Sequence, residues 1–453
     1  MAALASALSF SSAGATLPAF EIGVVDSNSA VVKGQEIDIV IDSGGANHVV
    51  YQRYQNSVTD LLYASGAGDV WAPDTVGQDV RSWSSGVGEI EIDDSGGLHV
   101  MYHKNTAMGS NRLHHATLSS GDWTSEVVTD SVGTGKADLA VDSTGGLHAV
   151  ALLGGFTLCY FEKPSGGTWS YPTVIAPSAN EPAIEVDGSG VVHVAYTCTN
   201  CSGSREDLNY ARYESDSWTV ETVDDSLQAG NFIQADIAIA PDGTPSIAYQ
   251  YSTADGNLHF ATRTGGGTWT SEVADTGIGE IASGDRVSLE FDSDGNVHVA
   301  RMIKTFASPY DGGVQYVSRQ GGLWESVVVD TTTYDNHPVA LALDSSGSPA
   351  IAYSTSASGL TNQYEIRVAR AATASSAPVE PMSRASIGRL ETRGNPFRGS
   401  TQVVFQVPSR SSVSLRVHDV TGRAVTTLLE DVTLAPGEHT VRWDGRAGSG
   451  QPA

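Results

Sequence analysis

One short pattern recurs along most of this 453-residue chain and limits its fold more than any other feature. In IDSGGANHVVY, Asp42 opens a turn and His48 follows six residues on. The same offset returns as Asp93/His99, Asp142/His148, Asp187/His193 and Asp292/His298. Two degenerate copies keep the frame, Ala240/Ser246 and Asp344/Ala350, and successive starts fall 45 to 53 residues apart. Tyr51, Tyr102, Tyr196, Tyr249 and Tyr353 stand nine positions after the Asp slot. Trp71, Trp123, Trp169, Trp218, Trp269 and Trp324 follow 27 to 32 positions after it. Self-similarity at a fixed period is the signature of a repeat architecture.

Each repeat reads as four short strands. The third runs ADLAVD, a turn, LHAVALL, a Gly-Gly turn, TLCYFEK, a second Gly-Gly turn, then TWSYPTVI. Alternating apolar residues between Gly, Ser and Asp clusters mark strands and hairpins. Four strands at a period near 50 predict an all-β fold, a seven-bladed β-propeller of four-stranded blades. No 3.6-residue periodicity supports helical repeats. The seventh repeat ends at YEIRVARAA before any Trp strand, whereas Phe20 to Asp26, FEIGVVD, matches WESVVVD at Trp324 to Asp330. The N-terminal strand is therefore expected to complete the last blade and remove an exposed sheet edge.

The recurrent Asp and His invite a catalytic or metal reading. They recur at one turn in blade after blade, however, so they lie on a ring and do not converge. An Asp opening such a turn accepts backbone N–H bonds and fixes the hairpin. Their expected role is structural. One variant of the turn, DSDGN, resembles part of a calcium loop and makes Asp292 and Asp294 a candidate calcium site; no other metal or cofactor is expected.

Charge divides the chain in two. Residues 1–372 hold 45 Asp+Glu against 16 Lys+Arg, and residues 373–453 hold 7 against 9. A formal net charge of −27 excludes a nucleic-acid binder that relies on general electrostatics. No apolar run is long enough to span a membrane. The sequence divides into a signal remnant at 1–15, the propeller at 16–372, an Ala/Ser/Pro-rich linker at 373–386 and a tail at 387–453. MAALASALSF has no Lys or Arg, so the charged start of a signal peptide is missing.

The composite pattern D-x-x-G-x-x-H-x-x-Y, then L-x-Y-A, then G-G-x-W resembles the bacterial sialidase-like, neuraminidase-repeat propellers over residues 20–372. That group includes sialidases, polysaccharide lyases and many extracellular proteins with no known activity. The sialidase Asp box carries an Asp five residues before the Trp; here Gly66, Leu118, Pro164, Tyr213, Thr264 and Arg319 hold that place. The departure counts against sialidase chemistry. The tail, with Asn395-Pro396-Phe397, TQVVFQV, SLRVHDVTGRAVTTLL and LAPGEHTVRWDG, resembles the immunoglobulin-like C-terminal domains of the flagellar hook-capping family and the type A sorting domains of type IX secretion. The resemblance implies a β-sandwich, an exported or cell-surface bacterial protein, and secretion machinery as a partner. In that family further strands follow the W-D-G turn, so the domain is expected to be incomplete at Ala453.

Cys198 and Cys201 form a C-x-x-C that suits a loop-stapling disulfide or two free thiols, and Cys159 falls in a strand as a buried thiol. Binding is expected from the loops that join second to third strands and outer strands to the next blade. Against the acidic background their cations and rings stand out. Arg53, Tyr54, Trp83, His103, Lys104, Arg301, Lys304, Tyr310 and His337 are the candidate ligand-binding residues, with Arg81, Arg112 and Arg286 beside them. Aromatic faces stack on sugar rings while Arg and Lys hold hydroxyl or carboxylate groups. No acid–base or nucleophile spacing assigns a catalytic residue. The favoured function is a monomeric binding or adhesion module for glycans or extracellular proteins. The alternative is a carbohydrate-active enzyme, a polysaccharide lyase or glycoside hydrolase, with Arg or Lys neutralising a uronate and Tyr or His abstracting a proton.

Overall fold

A computed structural model describes residues 5–11, 17–27, 37–55, 58–67, 70–78, 80, 88–105, 111–132, 136–199, 206–226, 233–251, 256–276, 287–304, 312–331, 338–356, 364–372, 383–384, 388–393, 401–407, 411–418, 424–434 and 437–444. Every regular element among them is a strand. The chain divides into two compact units. One comprises residues 20–317 and 328–377; the other comprises 1–19, 318–327 and 378–453.

The expected propeller is present, with seven four-stranded antiparallel blades in a ring. The inner strands are Ile37–Ile41, Gly88–Ile92, Ala137–Val141, Asn180–Val186, Ile233–Ile239, Val287–Phe291 and Val339–Leu343, and each contacts the next around the ring. Their alternation has a direct packing consequence. Ile39, Ile90, Leu139, Ile237, Leu289 and Leu341 are at most 3% exposed. The residues between them line the axial channel.

The repeated turn explains its own sequence. Asp142 donates its backbone N–H to Gly146 O at 2.9 Å, and Gly145 N–H returns to Asp142 O at 3.0 Å. Asp142 Oδ1 also accepts from Thr144 N (2.7 Å), Thr144 Oγ1 (2.7 Å) and Gly146 N (2.9 Å). Gly45, Gly96, Gly145, Gly190, Gly243, Gly295 and Gly347 all sit at φ between 76° and 83°, a region that L side chains resist. The degenerate fifth copy keeps this Gly although Ala240 replaces the Asp, so backbone conformation outlasts the capping side chain.

Ring closure follows the sequence expectation. Phe20–Asp26 pairs antiparallel with Tyr364–Ala371, from Phe20↔Ala371 to Asp26↔Ile366. This makes the order of the seventh blade Phe20–Asp26, Tyr364–Ala371, Pro349–Ser356, Val339–Leu343. Phe20 takes the place that Trp holds in other blades and meets Tyr316 of the sixth blade edge to face, centroids 5.4 Å apart.

Side chains also tie inner strands together. Asp38 Oδ2 accepts Ile90 N–H, Asp138 Oδ2 accepts Ile184 N–H and Asp236 Oδ2 accepts Leu289 N–H, each at 2.8 Å across a blade seam. Ser288 Oγ does the same for Leu341 N–H at 3.0 Å.

In the second unit, Gly388–Arg393, Thr401–Val407 and Gly437–Trp443 form one antiparallel sheet, and Ala5–Ser11, Ser411–His418 and Ala424–Leu434 another. Val403, Phe405 and Leu415 are fully buried between them. The segment read as a signal remnant thus contributes a strand, with Ala5↔His418 and Ser11↔Ser412 as its register limits. Cys159 is a free, buried thiol, and Cys198 is fully buried and disulfide-bonded.

Candidate functional site

The Asp–His pairs form closed relays, one per intact blade. His Nε2 meets Asp Oδ2 at 3.3 Å in Asp42/His48, 3.0 Å in Asp142/His148, 3.3 Å in Asp187/His193 and 3.4 Å in Asp292/His298. The other ring nitrogen accepts a phenol O–H from the third strand: Tyr63 at 2.6 Å, Tyr160 at 2.7 Å, Tyr210 at 2.7 Å and Tyr316 at 2.5 Å. A neutral imidazole fits, donating from Nε2 to the carboxylate and accepting at Nδ1. Burial holds His193 and His298 below the usual histidine range. It pushes Tyr63, Tyr160 and Tyr210 upward, so the phenols stay protonated. Each relay spends its polar atoms on its own blade.

The second blade departs from this scheme, since His115 replaces the Tyr. His99 Nδ1 lies 3.1 Å from His115 Nε2, and His115 Nδ1 lies 3.0 Å from Glu126. Burial pulls His115 down to about 4. Glu126 also receives Lys163 Nζ and, at 3.2 Å, Trp169 Nε1 from the third blade.

A comparable carboxylate sits between blades four and five, beside an open cleft. Glu221 is gripped by Arg263 through Nε at 2.9 Å and Nη2 at 2.7 Å, and accepts Trp269 Nε1 at 3.1 Å. The guanidinium holds Glu221 below the usual carboxylate range. Arg263 also lies over the Tyr210 ring, 5.8 Å from its centroid. The cleft, of about 140 Å³, is lined by Asp187, Arg212, Glu214, Arg263 and the small turn residues Gly243 and Pro245. Arg212 bonds Glu214, while its buried Nε has no partner among the described residues.

The inner strands surround an axial channel of about 450 Å³. Its walls are acidic. Asp38, Glu89, Asp138 and Asp236 line one level; Glu91, Glu185 and Glu290 line a second, two residues further along their strands. Burial and the neighbouring carboxylates push Glu91 and Glu290 well above the usual range. Burial and Asp236 raise Glu185 to about 7. Lys136, the channel's described cation, is paired with Glu181. The sequence reading had passed over these acids.

The candidate loop residues disperse. Arg53 lies 3.7 Å from Asp60, and Arg112 Nε lies 2.6 Å from Asp130. His103 is buried at 1% exposure, and Lys104 bridges to Val80 through the backbone. Arg301 is fully buried, donating to Gln315 Oε1 at 2.8 Å, Gly256 O at 3.0 Å and Asp275 Oδ2 at 2.5 Å. Its charge is spent inside the fold and not offered to a ligand. The side chains of Tyr54 and Lys304, and Arg81, Trp83, Arg286, Tyr310 and His337 entirely, lie outside the described residues. At the calcium-like turn, Asp292 Oδ1 accepts Asp294 N–H at 3.0 Å and Asn296 N–H at 2.8 Å, and Oδ2 accepts Asn296 Nδ2 at 2.8 Å.

No family model matches the chain, and no curated protein does. Among solved structures it is similar to AofleA from Arthrobotrys oligospora, at 12% identity over 70% of this chain and 91% of that one, with a TM-score of 0.47. It is also similar to a mutant of the Aleuria aurantia lectin in complex with Fucα1-6GlcNAc, at 16% identity over 66% and 97%, TM-score 0.45. A third similarity is to the NanB sialidase of Streptococcus pneumoniae, at 11% identity over 76% and 69%, TM-score 0.42.

Proposed function

We propose that this chain is an exported glycan-binding propeller that recognises its ligand without chemical turnover. The observation that carries the reading is the cleft between blades four and five. A sugar presents vicinal hydroxyls, each both donor and acceptor, beside a weakly apolar ring face. The cleft supplies matching groups. Arg263 and Arg212 donate, Glu214 and Asp187 accept, and Pro245 gives an apolar edge. Two guanidiniums against three nearby carboxylates, Asp187, Glu214 and Glu221, favour a neutral sugar over an anionic one. The closed relays support binding over catalysis, because each Asp–His pair is already engaged on its own blade.

Titration calorimetry of the whole chain against neutral and uronate-containing oligosaccharides tests the reading. Binding of a neutral sugar that falls at least about tenfold in Arg263→Ala and Arg212→Ala is expected. Release of reducing ends or unsaturated uronates would replace the reading with the enzymatic one.

Export rests on the tail's resemblance to sorting domains and on the acidic propeller. Deleting residues 387–453 is expected to keep the protein inside a bacterium carrying type IX machinery. Unchanged appearance in the medium would remove that part of the proposal.

A further inference from the structure

The second blade carries a polar chain that lies outside the sugar cleft. Asp93 Oδ2 faces His99 Nε2 at 3.2 Å, His99 Nδ1 faces His115 Nε2 at 3.1 Å, and His115 Nδ1 faces Glu126 Oε1 at 3.0 Å. It holds fewer hydrogens than links. In blades one, four and six, the two links of Asp, His and Tyr share two hydrogens, one on the ring and one on the phenol. Blade two has three links, and two neutral imidazoles carry only two N–H groups. Neither end makes up the difference. Burial works against ionisation, but the bonds from Ser95, Gly97 and His99 hold Asp93 well below the usual carboxylate range. Glu126 is likewise held low, against burial, by Lys163 and His115. The chain is one proton short whenever both rings are neutral.

That proton matters most at the outer end of the chain. Glu126 Oε1 is one atom with three claimants: His115 Nδ1 from its own blade, and Lys163 Nζ and Trp169 Nε1 from blade three. A neutral His115 keeps its hydrogen on Nε2 for His99, so the oxygen belongs to Lys163 and Trp169 and clamps the two blades together. A protonated His115 donates from both nitrogens and brings a second cation onto the same oxygen. His115 is 1% exposed, so solvent does not screen the two charges. His99 and Asp93 lie on one side of it, Glu126 and Lys163 on the other, and the Trp169 ring meets it edge to face, centroids 5.7 Å apart.

Blades four and five share the same clamp without the histidine. Glu221 takes Arg263 and Trp269, and Tyr210 stands where His115 stands in blade two. No proton-dependent rival competes for that carboxylate.

We propose that the His99–His115 pair is an acid switch in the ring: on taking up one proton, His115 captures Glu126 Oε1 from Lys163 and Trp169 and releases the clamp between blades two and three. Burial, with His99 and Lys163 adding to it against the bond from Glu126, pulls His115 to about 4 from 6.5 for a free side chain. A depressed value favours the neutral form in the fold. Its stabilisation is therefore present above pH 6.5 and is lost as pH falls toward 4.

The test follows the tryptophan indole N–H resonances of the whole chain from pH 7.5 down to pH 4, with urea unfolding over the same range. Trp169→Phe and Trp269→Phe assign the two signals. The Trp169 resonance is expected to move with a midpoint below pH 6.5 while that of Trp269 holds still. In His115→Tyr, which installs the side chain of the other blades, Trp169 should hold still as well. Between pH 7 and pH 5 the folding equilibrium constant of the parent should fall at least about tenfold more than that of His115→Tyr. Lys163→Met removes the rival cation, so its Trp169 midpoint should rise to higher pH. A Trp169 resonance that does not move, or that moves alike in parent and His115→Tyr, would overturn the proposal. So would equal losses of stability in acid. A His115→Tyr protein that fails to fold leaves Lys163→Met to decide, and an unchanged midpoint there would also sink the idea.

Discussion

Arg301 of the sixth blade reaches Asp275, at the end of the fifth blade's outer strand, at 2.5 Å. In blades one, five and seven the same slot is a Tyr that reaches the corresponding Asp of the blade before it. Tyr51 bonds Asp26 at 3.0 Å, Tyr249 bonds Asp224 at 2.8 Å and Tyr353 bonds Asp330 at 2.7 Å. Arg301 is thus a substitute seam tie, with Gln315 and Gly256 O taking up its additional donors. Arg301→Ala removes the charged partner of Asp275 and should cost about 3–5 kcal/mol. Arg301→Tyr restores the tie of the other blades and should cost clearly less. Urea unfolding of the three proteins checks the order; equal losses would remove the equivalence.

Phe20→Ala should loosen closure of the ring, because the lost ring contact with Tyr316 belongs to the strand that completes the seventh blade. Phe20 is only half-buried, so a loss of about 2 kcal/mol is expected. Phe20→Trp should be tolerated. Hydrogen exchange should show faster opening of Tyr364–Ala371 in the Ala variant than of the inner strands.

Within a relay, the Asp should matter more than the His. Asp142→Ala frees three donors of the turn, whereas His148→Ala leaves the Tyr160 hydroxyl its bond to Glu162 and frees one carboxylate oxygen. About 2–3 kcal/mol is expected for the first and about 1–2 for the second. Thermal unfolding of both variants decides; a larger loss for His148→Ala would reverse the assignment.

The channel acids make a pH prediction with a definite sign. Glu185 titrates near 7 in the fold against 4.5 for a free side chain, so its neutral form is the one the fold favours. That contribution is complete below pH 4.5 and is lost as pH rises through 7. Glu185→Gln should match the parent below pH 4.5 and gain on it steadily toward pH 8. Melting temperatures across that range test it, and a constant offset would mean that titration is not the cause.

Blade number and closure were legible because both follow from periodicity, which a chain carries in one dimension. Two features were not. The relay partners Tyr63, Tyr160, Tyr210 and Tyr316 lie 15, 12, 17 and 18 residues after their His. Hairpin length varies between them, so no fixed offset announces the contact. The channel acids were visible as Asp and Glu at alternate inner-strand positions, in IDIVI, GEIEI and VSLEF. Which face of those strands meets the axis is settled only when the ring closes, so the same letters read as ordinary strand polarity. Arg301 stood out for its charge, and charge alone does not distinguish a residue that meets solvent from one that replaces a buried phenol.

Pairing of Phe20 with Ala371 has a consequence for how the protein comes into being. A ribosome makes the first of these residues long before the last. Six blades can gather in order as they emerge, but the seventh must wait for both ends of the propeller. Until then the nascent chain is an arc with a raw edge at each end. The final hairpin converts that arc into a ring in one late event, so truncation anywhere before residue 371 should yield an unclosed, sticky product rather than a smaller propeller.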